Sequence, residues 1–219
     1  MVVLPILTHA APDLPAQVAQ HAAIAYACEG ADSRLLMVAD MSQRNTRPRF
    51  WAFDVRNPAQ PRLLIESRIE HGAGSDPGRS GYATRFSNAD GSGETSLGLY
   101  RLTDPYESPT HGRSYHLRGL TPGWNTNAEA RDVEFHPSHF VDTDRVDWSL
   151  GCLATPTRVI PALEKAVHSL SGAIVWVDGP RAVPLPCHTT WTEPTWPDAT
   201  SAWPAYTLWG SDKTTACTV

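Results

Sequence analysis

The densest run of chemically capable side chains is residues 136–154, which read HPSHFVDTDRVDWSLGCLA and close on Ser149-Leu150-Gly151-Cys152. With a helix expected directly after it, the Cys152 thiol would have its pKa lowered by the helix N-terminus and by a nearby imidazolium, giving a thiolate nucleophile at neutral pH. The small Gly151 would let a substrate carbonyl approach, and the amides of Gly151 and Cys152 would form an oxyanion hole. His136 stands sixteen positions earlier, at the end of an expected strand. A loop that returns the chain alongside that strand would join His136 and Cys152 as general base and nucleophile. A lone cysteine is more often a small buried hydrophobe, so spacing by itself leaves a structural role open.

Two other chemistries fit less well. His136, His139, Asp142 and Asp144 carry donors that suit Zn²⁺, but an H-x-x-H spacing at a strand end matches neither a helical i,i+4 pair nor a zinc pattern. No metal or organic cofactor is expected. The four cysteines, at 28, 152, 187 and 217, are too few for a disulfide scaffold and lack a C-x-x-C pair. Cys28 reads as a buried thiol, with a bond to the tail as the alternative, and Cys187 with Cys217 as a bridge within the tail. Cys152 must stay reduced to react.

The elements that would position these groups follow from periodicity. Asp13 can cap a helix in which Leu14, Val18, Ala22, Ala25 and Tyr26 recur at helical spacing before Gly30 ends it. The period then falls to two, and 35–39, 50–55 and 63–69 read as a β-meander turned by Asn57, Pro58 and Pro61. Residues 71–93 are rich in Gly, Ser, Asp and Asn and form a long loop of the kind that is usually functional or disordered. Strands resume at 95–102, 113–120 and 130–135. Ile160, Leu163, Val167 and Leu170 make a second helical stripe closed by Gly172, and 173–177 is a last strand. Beyond Gly179 the chain turns Trp-, Pro- and Thr-rich, with Trp191, Trp196, Trp203 and Trp209, either as a tail packed on the domain or as a ligand surface.

The 219 residues carry 18 Lys+Arg against 23 Asp+Glu, a net charge of -5 without any basic cluster, so phosphate backbones are poor partners and no nucleic acid is expected. The apolar runs, such as 22–28 and 172–177, are far shorter than the roughly 20 residues that span a bilayer. The first Lys or Arg is Arg34, so the start has no basic n-region of a signal peptide and the export route stays open. Nothing in the sequence fixes an oligomeric state.

The order of His136, a loop, and Ser149-Leu150-Gly151-Cys152 resembles the murein L,D-transpeptidase catalytic domain family (YkuD-like, family 2). Phe86-Ser87-Asn88, residues 96–100 (SLGLY), 117–123 (LRGLTPG), 125–131 and 148–154 follow that family's pattern in order, as do Ala39-Asp40, 51–55 and His71-Gly72. The chain departs from it at Pro137, where a glycine is usual, and at Leu153-Ala154, where many relatives place an arginine.

The resemblance implies a mainly β fold, a YkuD-like sandwich or barrel with two or more short helices. The catalytic domain would span 20–178, between an N-terminal segment (1–19) and the C-terminal extension (179–219). It implies that Cys152 attacks a peptidoglycan tetrapeptide stem and expels the terminal D-alanine. His136 would be base and then acid, oriented by the backbone carbonyl of Ser149. His71, Ser96, Tyr100, His111, Tyr115 and His139 would line the substrate cleft, Trp148 would lie against the nucleophile, and Arg118 or Arg131 would meet the substrate carboxylate. The acyl acceptor would be a second stem, water or a D-amino acid. The setting would be a bacterial envelope, the periplasm or the exterior, including as an effector delivered into a rival cell. A wall-binding module with disabled chemistry is the non-enzymatic alternative.

Overall fold

The computed structural model describes residues 5–30, 32–142 and 147–186, together with the backbone of 207–209 and 216–218. Three helices, α1 (Pro5–Ala10), α2 (Ala16–Glu29) and α3 (Val159–Ser169), accompany a mixed sheet. Its strands are β1 (Leu35–Asp40), β2 (Phe50–Asp54), β3 (Arg62–Ser67), β4 (Gly98–Ser108), β5 (Gly112–Gly119), β6 (Glu134–Ser138), β7 (Leu153–Pro156) and β8 (Ala173–Asp178). Their order is β3-β2-β1-β8-β4-β5-β6-β7, antiparallel except for the β1–β8 and β6–β7 pairs. Two short strands, β9 (Thr207–Trp209) and β10 (Ala216–Thr218), pair separately. The fold is mainly β, as expected.

Strand β1 shows why the sheet is covered on both faces. All six of its residues are buried, and alternation sends Leu35, Met37 and Ala39 into one apolar cluster and Leu36 and Val38 into the other. The first cluster holds Leu163 and Ile160 of α3; the second holds Leu7, Leu14 and the small residues Ala19, Ala22 and Ala25, which let α2 approach the sheet closely. Helix α2 ends where Gly30 donates to the Tyr26 carbonyl at 2.8 Å. Its N-cap is Pro15 and not Asp13, because a turn from Ala11 to Leu14 buries Leu14 before the helix starts.

The two ends of the sheet meet. Helix α3 packs against both β3 and β7, and the Glu70 amide just beyond β3 donates to the Ala154 carbonyl of β7 at 2.8 Å. The sheet therefore curls almost into a barrel around α3, with β7 closing it.

Several boundaries differ from the periodicity reading. Strand β4 runs on to Ser108 because a register shift between Leu102 and Pro105 absorbs the proline. Strand β6 starts only at Glu134, after a set of turns ending in Asp132 at φ 54. Cys152 is followed by the four-residue β7, and α3 begins only at Val159. Residues 71–93 do form a long irregular loop, broken by one 3-10 turn (Ala73–Ser75). Cys28 is disulfide-bonded and so is not a free thiol, whereas Cys152 is free. The Cys187–Cys217 pairing and the tail tryptophans lie outside the described residues.

Candidate active site

Cys152 sits on a braced turn. The Ser149 hydroxyl donates to the Cys152 carbonyl at 2.8 Å and accepts from the Gly151 amide at 3.1 Å. The backbone of Ser149 is tied to the start of the long loop, its amide donating to the His71 carbonyl at 3.0 Å and its carbonyl accepting from Ala73 at 2.8 Å. Gly72 bridges Ser149, and a Cβ on Gly72 would stand 2.9 Å from the Gly151 nitrogen. Of the two amides expected to serve an oxyanion, that of Gly151 is in use, while that of Cys152 has no partner among the described residues.

Gly151 has a φ of 120°, and a Cβ there would lie 2.9 Å from the Glu94 carbonyl oxygen. Both facts oppose any other residue. Gly151→Ala is expected to cost on the order of 1–3 kcal/mol of backbone strain and to displace the nucleophile. Urea unfolding together with the rate of thiol acylation reads both, and a variant equal to wild type in each would contradict this seating.

Cys152 is followed by β7 and not by a helix, and among the described residues no helix begins at the thiol, so the expected activation by a helix dipole is corrected. The neighbours of Sγ are the Glu134 amide nitrogen at 3.5 Å and the Asp132 carbonyl oxygen at 3.7 Å. Burial pushes the Cys152 thiol up to about 11, helped by the Glu134 and Asp132 charges and opposed by the Glu134 amide. At neutral pH it rests as a thiol, not a thiolate.

His136 lies on β6, next to β7. The parallel register pairs Phe135 with Leu153 and His136 with Ala154, so the pleat turns His136 to the same side as positions 152 and 154. Its Nδ1 lies 2.9 Å from the Pro137 carbonyl. A carbonyl only accepts, so Nδ1 carries the proton and Nε2 keeps the lone pair. Ser149 is not the orienting acceptor, because His136 Nδ1 is bonded to the Pro137 carbonyl instead. Pro137 lacks an amide proton but supplies the carbonyl that fixes the tautomer. The ring stacks on His111 with centroids 3.9 Å apart, and burial with that neighbour pulls His136 down to about 4, the Pro137 bond resisting.

The remaining candidates divide by burial. His71, Ser96, Tyr100 and Tyr115 are buried, at 0, 1, 1 and 1% exposure, and so lie inside the fold and not on a cleft wall. The Tyr100 hydroxyl donates toward the Ser96 carbonyl and hydroxyl at 2.8 and 2.9 Å. Arg131 is half-buried and grips the loop through Ser87, Ser96 and Glu94, its Nη2 donating to the Glu94 carbonyl at 2.7 Å. It therefore seats the strip that faces Gly151, with both terminal nitrogens of its guanidinium engaged within the fold. Arg118 is exposed and paired with Glu129 at 3.2 Å. His111 and His139 are exposed, and Trp148 is half-buried, its indole N–H donating to Asp76 at 3.1 Å beneath Arg79.

A family model described as an L,D-transpeptidase catalytic domain matches residues 10–176, well over half of the chain. The chain belongs to that family. The match includes His136 and Cys152 and ends within β8. Similar solved structures include the helical cell shape determining protein Pgp2 from Campylobacter jejuni, at 14% identity and a TM-score of 0.48 over 69% of this chain and 50% of that one. An L,D-transpeptidase from Mycobacterium smegmatis is 12% identical, with a TM-score of 0.39 over 67% and 59% of the two chains. One from Xylanimonas cellulosilytica is 14% identical, with a TM-score of 0.40 over 68% and 63%. The chain thus spans between half and two thirds of those chains. No curated protein matches it.

In this L,D-transpeptidase domain the turn rests on a buried platform that periodicity did not reveal. Arg49 is wholly buried and donates to the Ile69 carbonyl at 2.9 and 2.7 Å, the Gln43 carbonyl at 2.8 Å and His71 Nδ1 at 2.9 Å. His71 Nε2 is 3.8 Å from Asp76, too far for a hydrogen bond. Burial and the Arg49 charge pull His71 down to about 3, and burial with Asp147 pushes Glu70 up to about 8 against Arg49. One cation thus holds Ile69 and His71, the residues on either side of Glu70, just before the Gly72–Ser149 bridge.

Proposed function

We propose that this L,D-transpeptidase domain transfers the acyl group of a peptidoglycan tetrapeptide stem through a thioester on Cys152. What supports the reading is the Cys152 turn: a nucleophile held between Gly151 and β7 by the Ser149 hydroxyl, with its own amide free among the described residues. His136 Nε2 takes the thiol proton as Sγ bonds to the carbonyl carbon of the diaminopimelyl centre. The oxyanion is received at the Cys152 amide. The C–N bond to D-alanine then breaks, and His136 returns the proton to the leaving amine. A second stem's amine, water or a D-amino acid resolves the thioester. Because the resting thiol is protonated, proton transfer must accompany attack and cannot precede it. The catalytic unit is residues 20–178, working in the cell envelope. Among the described residues no helix is long and apolar enough to cross a membrane.

A wall-binding role without chemistry is favoured by one observation: the thiol's hydrogen-bonding neighbours are the backbone of Asp132 and Glu134, not an imidazole. Mass spectrometry of the protein with disaccharide-tetrapeptide, and separately with a carbapenem, decides between the two. An adduct on Cys152 with loss of D-alanine is the expected result. No adduct and no product from folded, reduced protein that still binds murein would establish the second reading.

A further inference from the structure

The flank of the Cys152 thiol carries a group of side chains that acyl transfer does not use. Strands β5 and β6 pair His116 with Glu134, and Asp132 precedes β6. One donor atom from each of His116, Asp132 and Glu134 lies within 4.8 Å of the others. His116 Nδ1 and Asp132 Oδ1 are 3.7 Å apart, too far for a hydrogen bond. Two ligands each roughly 2.1 Å from a tetrahedral zinc ion stand about 3.4 Å apart, so this spacing suits a shared cation.

Glu134 supplies the independent sign of a ligand. It is 5% exposed, and its Oε2 is buried without a hydrogen-bond partner among the described residues. A buried carboxylate oxygen left unpaired is costly, and a cation would satisfy it. Its other oxygen accepts from the Tyr106 hydroxyl. The Tyr106 ring stacks on His116 with centroids 4.1 Å apart and planes 3° from parallel, so one tyrosine orients two of the three donors from behind, as outer-shell residues of metal sites do. Solvent reaches the group, since the His116 and Asp132 side chains are 46% and 76% exposed.

We propose that His116, Asp132 and Glu134 bind a zinc-class divalent cation beside the Cys152 turn, with water in the remaining coordination position. The Cys152 sulfur stands outside this set of mutually close donor atoms and is not a ligand.

Titration of the whole chain with Co²⁺, its Cys28 disulfide kept intact, tests the proposal without any assay of turnover. The expected result is one Co²⁺ bound at this site with the visible absorption of a four-coordinate ion and no thiolate-to-metal charge-transfer band, displaced by zinc in competition. His116→Ala, at a half-exposed position, and Asp132→Asn should each weaken affinity by more than the roughly 10–100-fold that outer partners contribute. Circular dichroism of each variant checks its fold. No tight binding, a thiolate charge-transfer band, or affinity indifferent to His116→Ala and Asp132→Asn would each overturn the proposal.

Discussion

Cys152→Ala should abolish acylation while leaving the fold standing. The side chain removed is partly exposed, and the braces of its turn are the Ser149 hydroxyl, the Cys152 carbonyl and the Gly151 amide, none of which the substitution touches. The loss should exceed the 10²–10⁴-fold that acid–base assistance alone supplies, because no other group there can form the thioester. His136→Ala should fall short of that, since an attacking thiol would remain. Intact-mass spectra with muropeptide report the adduct, and thermal unfolding reports the fold. A variant still releasing D-alanine at the wild-type rate would remove Cys152 from the mechanism.

Stability should peak near pH 6.5. His71 and His136 ordinarily titrate at 6.5 but are held at about 3 and 4 in the fold. Below pH 6.5 the unfolded chain takes up two protons that the native state refuses, so their contribution is whole above 6.5 and is lost as the pH falls. Glu70 acts in the opposite sense. It is raised from 4.5 to about 8, so its contribution is whole below 4.5 and is lost as the pH rises through 8. Each such proton is worth about 1.4 kcal/mol per pH unit. Glu134, also raised from 4.5 by burial, acts in the same sense as Glu70. Two histidines against Glu70 alone leave a rise of about 1.4 kcal/mol per unit between 4.5 and 6.5, which Glu134 reduces at the acid end, then a decline of similar slope to about pH 8. Urea unfolding across this range measures the profile, and a stability that already falls with rising pH between 4.5 and 6.5 would show that the histidines titrate normally. With the same sign, acylation should keep its rate well below pH 6.5, failing only as His136 protonates near 4.

Elements with a strong period were legible from residue order. Helix α3 follows from Ile160, Leu163 and Leu170, and the meander β1–β3 from alternation with Asn and Pro at its turn. Strand β7 was not, because Leu-Ala-Thr-Pro is four residues long and ends in proline; only its parallel pairing with β6 makes it a strand. Cys152 and His136 could be named from their motif, yet their protonation states depend on burial and on Asp132, Glu134 and His111, which no local pattern supplies. His71 was misread for the same reason. As a polar residue at the mouth of a Gly-rich loop it suggests a cleft, and only the distant Arg49, one arginine among several in a polar stretch, makes it a buried support. Glu134 left little trace, as one acid among the polar residues Arg131, Asp132, His136 and Ser138 around it.

The position of β8 bears on how the chain is made. This strand, nearly last of the domain in sequence, lies between β1 and β4 and is their sole link within the sheet. Until residues 173–178 leave the ribosome, β1 and β4 each present an open edge able to pair with another chain, and the ribbon β1–β3 meets the ribbon β4–β7 at the far end, through α3 and the Glu70–Ala154 bond. The nucleophile and its histidine are synthesised on one ribbon and the Arg49 platform on the other. A product that stops short of Ala173 thus carries every residue of the turn but lacks the strand that joins its two halves across the middle of the sheet.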